Sequence, residues 1–302
     1  MPANVTTPQV SSPHLATTEI LFNSILVATD FSRQAHQALK VAMSVGKAFH
    51  ARLLLVHATI PMVFDVESGP IPEELLNASL EADKKEMQNL VANEAGLNEI
   101  NPTRVVSLGE VVDLVNTAAH DQKVDLVVIG SHGASGFERL ALGSVAESVL
   151  HRSTCPVMIV GPNCLLVEHP FRSILFTTDL TSTGFRAAQY AAGLAERFHG
   201  RLTLLHAIHP TGFEAGTAAA ERAHRELEQL LPQDISQYCK TELRIAAGKP
   251  ADEILAAAKS LAASLIIVGL KDRPLADHAT WSTLSHVIRE ANCPVLGVRG
   301  HL

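Results

Sequence analysis

Short apolar runs alternate along the chain with longer stretches in which apolar residues return every three or four positions. Residues 24–28 (SILVA), 53–56 (LLLV), 126–129 (LVVI) and 157–160 (VMIV) are near-continuous apolar runs, the pattern of strands buried on both faces of a parallel sheet. The first leads through Asp30 to Ser32, a candidate helix cap, after which Ala35, Ala38, Leu39, Ala42 and Phe49 fall at helical spacing. A strand, a helix, a strand, another helix, a loop-bearing strand and a final strand follow. That order predicts five short parallel strands with right-handed crossovers, a doubly wound α/β layer.

The pattern then repeats. Asn23–Asp30 (NSILVATD) returns as Arg172–Asp179 (RSILFTTD), and Arg52–His57 returns as Arg201–His206, both offset by 149 positions. Gly109 matches Gly248, Gly130 matches Gly269, and the triplet at Cys155 matches that at Cys293, all at a smaller offset. The chain is therefore a tandem duplication. The first copy holds roughly ten extra residues around Thr59–Leu80, where Pro61, Pro70 and Pro72 predict a surface loop. Boundaries fall at a flexible tail (1–22), a first domain (23–162), a linker (163–170) and a second domain (171–302). Leu165, Leu166 and Val167 are expected to lay the linker against a domain.

At 302 residues and 47% hydrophobic content, each half can bury a core of its own. Alanine and leucine dominate and only 4% of residues are aromatic, which suits helices packed closely on a parallel sheet. A net charge of −7 argues against nucleic acid as a partner. The four cysteines form no CxxC pair, which leaves neither a disulfide framework nor a zinc knuckle. Cys155 and Cys293, each followed by proline and a strand, read as small buried residues. No apolar stretch is long enough to span a membrane, and the Pro-, Ser- and Thr-rich start lacks the features of a secretory signal, so a cytoplasmic setting is expected.

The candidate chemistry lies in residues 130–144, GSHGASGFERLALGS, which follow the apolar run ending at Ile129. Gly130, Gly133 and Gly136 can take positive φ and let a ligand approach bare backbone, while Gly143, Ser144 and Val145 open the next helix with N–H groups and one hydroxyl. That is a phosphate cradle in sequence form. Neither GxxxxGK[ST] nor GxGxxG occurs, and nothing positions a catalytic lysine. Asp30 also falls at a strand's carboxyl end, as a site residue, a helix cap or both. His132, inside the loop, is expected to point outward or bond the loop. His57 and His206 end matching strands and are expected to share a packing or hydrogen-bonding role. Glu73, Glu74, Glu81, Asp83, Lys84, Lys85 and Glu86 read as the solvated face of a helix.

Gly130, two residues, Gly133, nine residues, then Gly143 and Ser144 resembles the nucleotide-binding pattern of the universal stress protein family. The strand ending in Thr29–Asp30 and the terminal Cys155–Val160 segment are similar to that family too, and the resemblance covers essentially the whole chain, twice. It implies two tandem five-stranded α/β domains of the adenine nucleotide alpha hydrolase-like fold. It also implies ATP as ligand, with Asp30 near the nucleoside and Ala28, Thr29 and Ala58 in the base pocket. Ile129, Gly130, Gly133, Gly143, Ser144 and Val145 would then surround ribose and phosphates, with Mg or Mn held by the phosphates. Family edges pair across dimers, which implies an intramolecular pseudo-dimer through Val157–Val160 and Val295–Val298, and leaves room for a homodimer.

The second copy reads Gly269-Leu-Lys-Asp272, nine residues, then Ser282–Thr283, so two glycines of the pattern have become Asp272 and Ser282. Asp272 puts a carboxylate where phosphate would lie and Pro274 stiffens the loop, while Ser282–Thr283 could still cap a helix and hold a small anion. Three functions stay open: an ATP-binding stress or signalling protein with nucleotide in the first domain, a slow ATPase or nucleotide-dependent enzyme, and a ligand-free interaction module.

Overall fold

The computed structural model describes residues 19–60, 71–133, 142–182, 184–208, 217–270 and 278–300. Its first half contains β1 (Ser24–Ala28), α1 (Arg33–Phe49), β2 (Arg52–Thr59), α2 (Glu73–Asn93), the single turn α3 (Leu97–Ile100), β3 (Thr103–Leu108), α4 (Val111–Asp121), β4 (Leu126–Gly130), α5 (Ser144–Arg152) and β5 (Val157–Val160). The second half contains β6 (Ser173–Thr177), α6 (Gly184–Arg197), β7 (Arg201–Ile208), α7 (Thr217–Gln229), β8 (Lys240–Ala247), α8 (Pro250–Ser260), β9 (Leu265–Leu270), α9 (His278–Glu290) and β10 (Val295–Arg299). Each half is the five-stranded parallel layer the sequence predicts, in the orders β3-β2-β1-β4-β5 and β8-β7-β6-β9-β10.

The apolar runs are buried on both faces because successive side chains alternate. Ile25 and Val27 join one core under α1, while Leu26 and Ala28 join the other beside α4 and α5. Ser32 caps α1 as read, its hydroxyl accepting from the Ala35 N–H at 3.2 Å. Cys293 is buried, and burial pushes its thiol up to about 12, consistent with an inert residue. Cys155 is half-buried, and burial raises it as well.

β5 and β10 pair antiparallel, so the two layers share one ten-stranded sheet. The register sets Met158 opposite Leu296, which are equivalent positions in the two copies, with Ile159 opposite Val295 and Val157 opposite Gly297. Four phenylalanines close the same junction on one face. Phe49 of the first half lies 5.5 Å from Phe171 and 5.1 Å from Phe198, ring centre to ring centre. Phe22/Phe171 and Phe49/Phe198 are repeat-related pairs, a signal present in the duplication that sequence reasoning passed over. On the other face His151, ending α5, packs against Trp281 of α9 at 4.5 Å.

Three expectations need correction. The flexible tail does not reach residue 22, because Ile20 and Phe22 are buried in the core and Phe22 packs on Phe49. The extra residues of the first copy do not simply form a loop: α2 runs 21 residues against 13 in α7, and Pro72 immediately precedes it. Proline at a helix start loses nothing, since the first N–H groups have no intrahelical partner, and Glu73 and Glu74 favour the dipole there. Pro61 and Pro70 lie outside the described residues. The linker is tied by hydrogen bonds and by the buried Cys164, not by burial of Leu165, Leu166 and Val167. Leu165 N–H donates to Asn292 O at 2.9 Å and Ser44 Oγ to Val167 O at 3.1 Å, while the side chains of Leu165, Leu166 and Val167 stay exposed.

Candidate functional site

At the carboxyl ends of β1 and β4, where strand order reverses, the first half holds a cavity of about 320 Å³. All ten residues singled out in sequence line it: Ala28, Thr29, Asp30, Ala58, Ile129, Gly130, Gly133, Gly143, Ser144 and Val145. Ser131, His132, His57 and Val111, which sequence reasoning did not place there, line it as well.

The floor is fixed by the turn after β1. The ring Nδ1–H of His57 donates to Thr29 O at 2.8 Å, and His57 Nε2 lies 3.1 Å from Asp83 Oδ2 on α2, so the histidine ties β1 to that helix. The expectation of a hydrogen-bonding His57 is met, but Asp83 is a partner as well as part of a solvated face. Asp30 Oδ1 accepts from Ser32 N–H at 3.0 Å, and Phe31 between them takes φ 62°, a left-handed conformation uncommon for a bulky residue. Asp30 therefore shapes the turn into α1 while Ser32 does the capping.

The glycines serve close approach. Positive φ among described glycines is confined to Gly96 and Gly109, which corrects the conformational reading of Gly130 and Gly133. A Cβ on Gly130 would lie 3.2 Å from Gln34 O of α1, one on Gly133 2.7 Å from Asp30 Oδ2, and one on Gly143 3.0 Å from Ser131 O. Gly143 N–H donates to Ser131 O at 2.9 Å, which folds the loop start against the helix start. Ser131 Oγ and His132 Nδ1 are 3.0 Å apart, the loop bond expected of His132. Gly136 lies outside the described residues.

Helix α5 begins at Ser144 with Gly143 as its cap, and that cap supplies no side-chain acceptor to the first-turn N–H groups. Ser144, Val145 and Ala146 all line the cavity. N–H groups at a helix start carry a partial positive charge and suit an anion. The described lining contains no lysine or arginine.

The second half repeats the floor closely. His206 Nδ1–H donates to Thr178 O at 2.9 Å, Leu180 takes φ 61°, and Asp179 Oδ1 accepts from Thr181 N–H at 3.0 Å. Its cavity is about 640 Å³, twice the first. The far end differs. α9 starts at His278, so Ser282 and Thr283 lie in its second turn and not at its mouth. Their N–H groups are spent on the helix's own carbonyls, which corrects the reading of Ser282–Thr283 as a cap. Asp272 and Pro274 lie outside the described residues.

Two doubly wound layers in one sheet, each with a cavity at the strand-order switch, define a tandem protein of the adenine nucleotide alpha hydrolase-like fold. The universal stress protein family matches residues 21–161 and again 170–299, and the chain belongs to that family. Universal stress protein YxiE of Bacillus subtilis is 31% identical over 147 residues, 46% of this chain and 99% of the relative. A universal stress protein of Thermus aquaticus is 34% identical over 140 residues, with coverage of 46% and 99%. A crystallised universal stress protein from Archaeoglobus fulgidus shares the fold along 92% of this chain and 96% of its own, with TM-score 0.71 and 22% identity. Among the described residues no helix is long and apolar enough to cross a membrane.

Proposed function

We propose that the chain binds ATP in the cavity of its first half and acts in stress response or signalling through nucleotide-dependent contacts with a protein partner. The observation that carries this reading is the pairing of a glycine-walled cavity with a helix start whose N–H groups have no side-chain cap. The polyphosphate would lie over Ser144 and Val145, and the base would lie between Ala28, Thr29 and Ala58. Among the described residues no cluster of His, Cys, Asp or Glu is built to hold a metal, so Mg or Mn would be held by the phosphates.

Binding is the activity proposed, since the described lining brings no lysine to the transferring phosphate. The self-matched register of β5 and β10 supports an internal pseudo-dimer of the two halves. Calorimetry with magnesium-ATP tests the site. Gly133→Asp would set a second carboxylate against Asp30, and a weakening of about a hundredfold or more is expected, with an unchanged circular dichroism spectrum. Wild-type affinity in that variant would place the nucleotide elsewhere.

A further inference from the structure

The cavity of the second half retains one end of the first and has lost the other. Thr177, Thr178, Asp179, Ala207, Val268 and Gly269 stand where Ala28, Thr29, Asp30, Ala58, Ile129 and Gly130 stand, on the same histidine-anchored turn. The positive-φ residue after the aspartate is also reproduced, at Leu180 for Phe31. That is the end where the first cavity would take a base and ribose.

Among the described residues the phosphate end differs. Helix α9 begins four residues before Ser282, so no uncapped helix start faces this cavity at the position of Ser144. Lys249, exposed at the start of α8, is the one lysine or arginine among the described lining residues, which also include Asp179 and Asp252. What remains is a roomy cavity with apolar walls from Ile254, Val268, Leu284 and Val287, and hydroxyls from Thr177 and Thr283, within the ~300–1,000 Å³ range of small-molecule sites.

We propose that the second half is a separate binding site for a nucleoside, a flat heteroaromatic base on a hydroxylated ring without phosphates. The proposal rests on the adenine-nucleotide reading of the first cavity, because it assigns the retained end to base and ribose. Apolar walls enclose the base, and the Asp179 carboxylate accepts from ring hydroxyls.

The test uses the full chain with Gly133→Asp to disable the first cavity, adenosine as the probe, calorimetry, and the emission of Trp281. That residue is the only tryptophan of the chain and adjoins Ser282 of the cavity wall. One adenosine per chain is expected, undisplaced by a tenfold excess of ATP. Ala207→Phe, which fills the base end, should weaken adenosine at least tenfold while leaving magnesium-ATP binding unchanged in a chain with Gly133 intact. Asp179→Asn, a milder change whose amide oxygen can still accept from Thr181, should weaken adenosine several-fold. No adenosine bound to the Gly133→Asp chain, equal competition by ATP, or indifference to both variants would overturn the proposal. Magnesium-ATP binding by the wild-type chain reads the first cavity independently, so failure of one site is distinguishable from failure of the other.

Discussion

Counted from Gly130 and Gly269, residues 143 and 282 hold the same position in the two copies of the loop pattern, yet one precedes a helix and the other lies inside one. In the first half α5 starts at Ser144, and its opening N–H groups face a cavity of about 320 Å³. In the second, α9 starts four residues earlier, the equivalent N–H groups are satisfied within the helix, and the cavity is about 640 Å³. The floors of the two cavities share the histidine-to-turn bond, the aspartate-to-backbone bond and the positive-φ residue between them. A duplicated fold can thus keep the architecture of a site and lose its anion chemistry through the start point of a single helix.

The largest expected effect breaks the frame that lets the halves be compared. Gly161 follows β5, and a Cβ there would lie 2.0 Å from the Ile288 carbonyl of α9. Backbone cannot give way as a flexible side chain can, so Gly161→Ala should destabilise the chain by ~3 kcal/mol or more in denaturant titration. An unchanged midpoint would contradict the packing described. Next comes the exchange of the paired residues. Gly143→Ser sets a Cβ 3.0 Å from Ser131 O and should weaken magnesium-ATP about tenfold by calorimetry, roughly 1.4 kcal/mol. The reverse change, Ser282→Gly, falls inside a helix and should cost only ~0.5 kcal/mol of stability, with no gain of a second ATP.

The smallest effect concerns the α5–α9 contact. Burial lowers the His151 pKa below 6.5, helped by the Arg299 guanidinium, and the two outweigh the Glu147 carboxylate 3.9 Å away. The unfolded chain therefore takes up this proton first as pH falls. His151 contributes stability that is complete above pH 6.5 and is lost as pH drops toward the folded value. His151→Phe should flatten that part of a melting-temperature profile. A profile identical to wild type below pH 6.5 would remove His151 from the effect.

Much of this was legible in the sequence where the determinants are local or repeated. Apolar runs gave the strands, Ser32 announced the start of α1, and the 149-residue offset exposed the duplication. Asp30 and Gly130 were legible together because the doubly wound order brings strand carboxyl ends to one place, the glycine loop supplied the helix-start residues, and the family resemblance supplied Ala28, Thr29 and Ala58. What escaped notice depends on contacts distant in sequence. Ser282–Thr283 has the chemistry of a helix cap, but the segment from His278 extends α9 upstream, and Trp281 in that extra turn packs on His151 from the other half. Pro72 reads equally as loop punctuation or helix start, and only α2 itself decides. The His57–Asp83 pair joins β2 to a helix whose rotation no periodicity specifies.

The central claim is an asymmetry: two copies of the fold, with one anion cradle between them. Equilibrium binding of magnesium-ATP to the full chain, with nucleotide counted against protein at saturation, tests it most directly. The account predicts one ATP per chain, abolished by Gly133→Asp. Two equivalent ATP molecules per chain would contradict it.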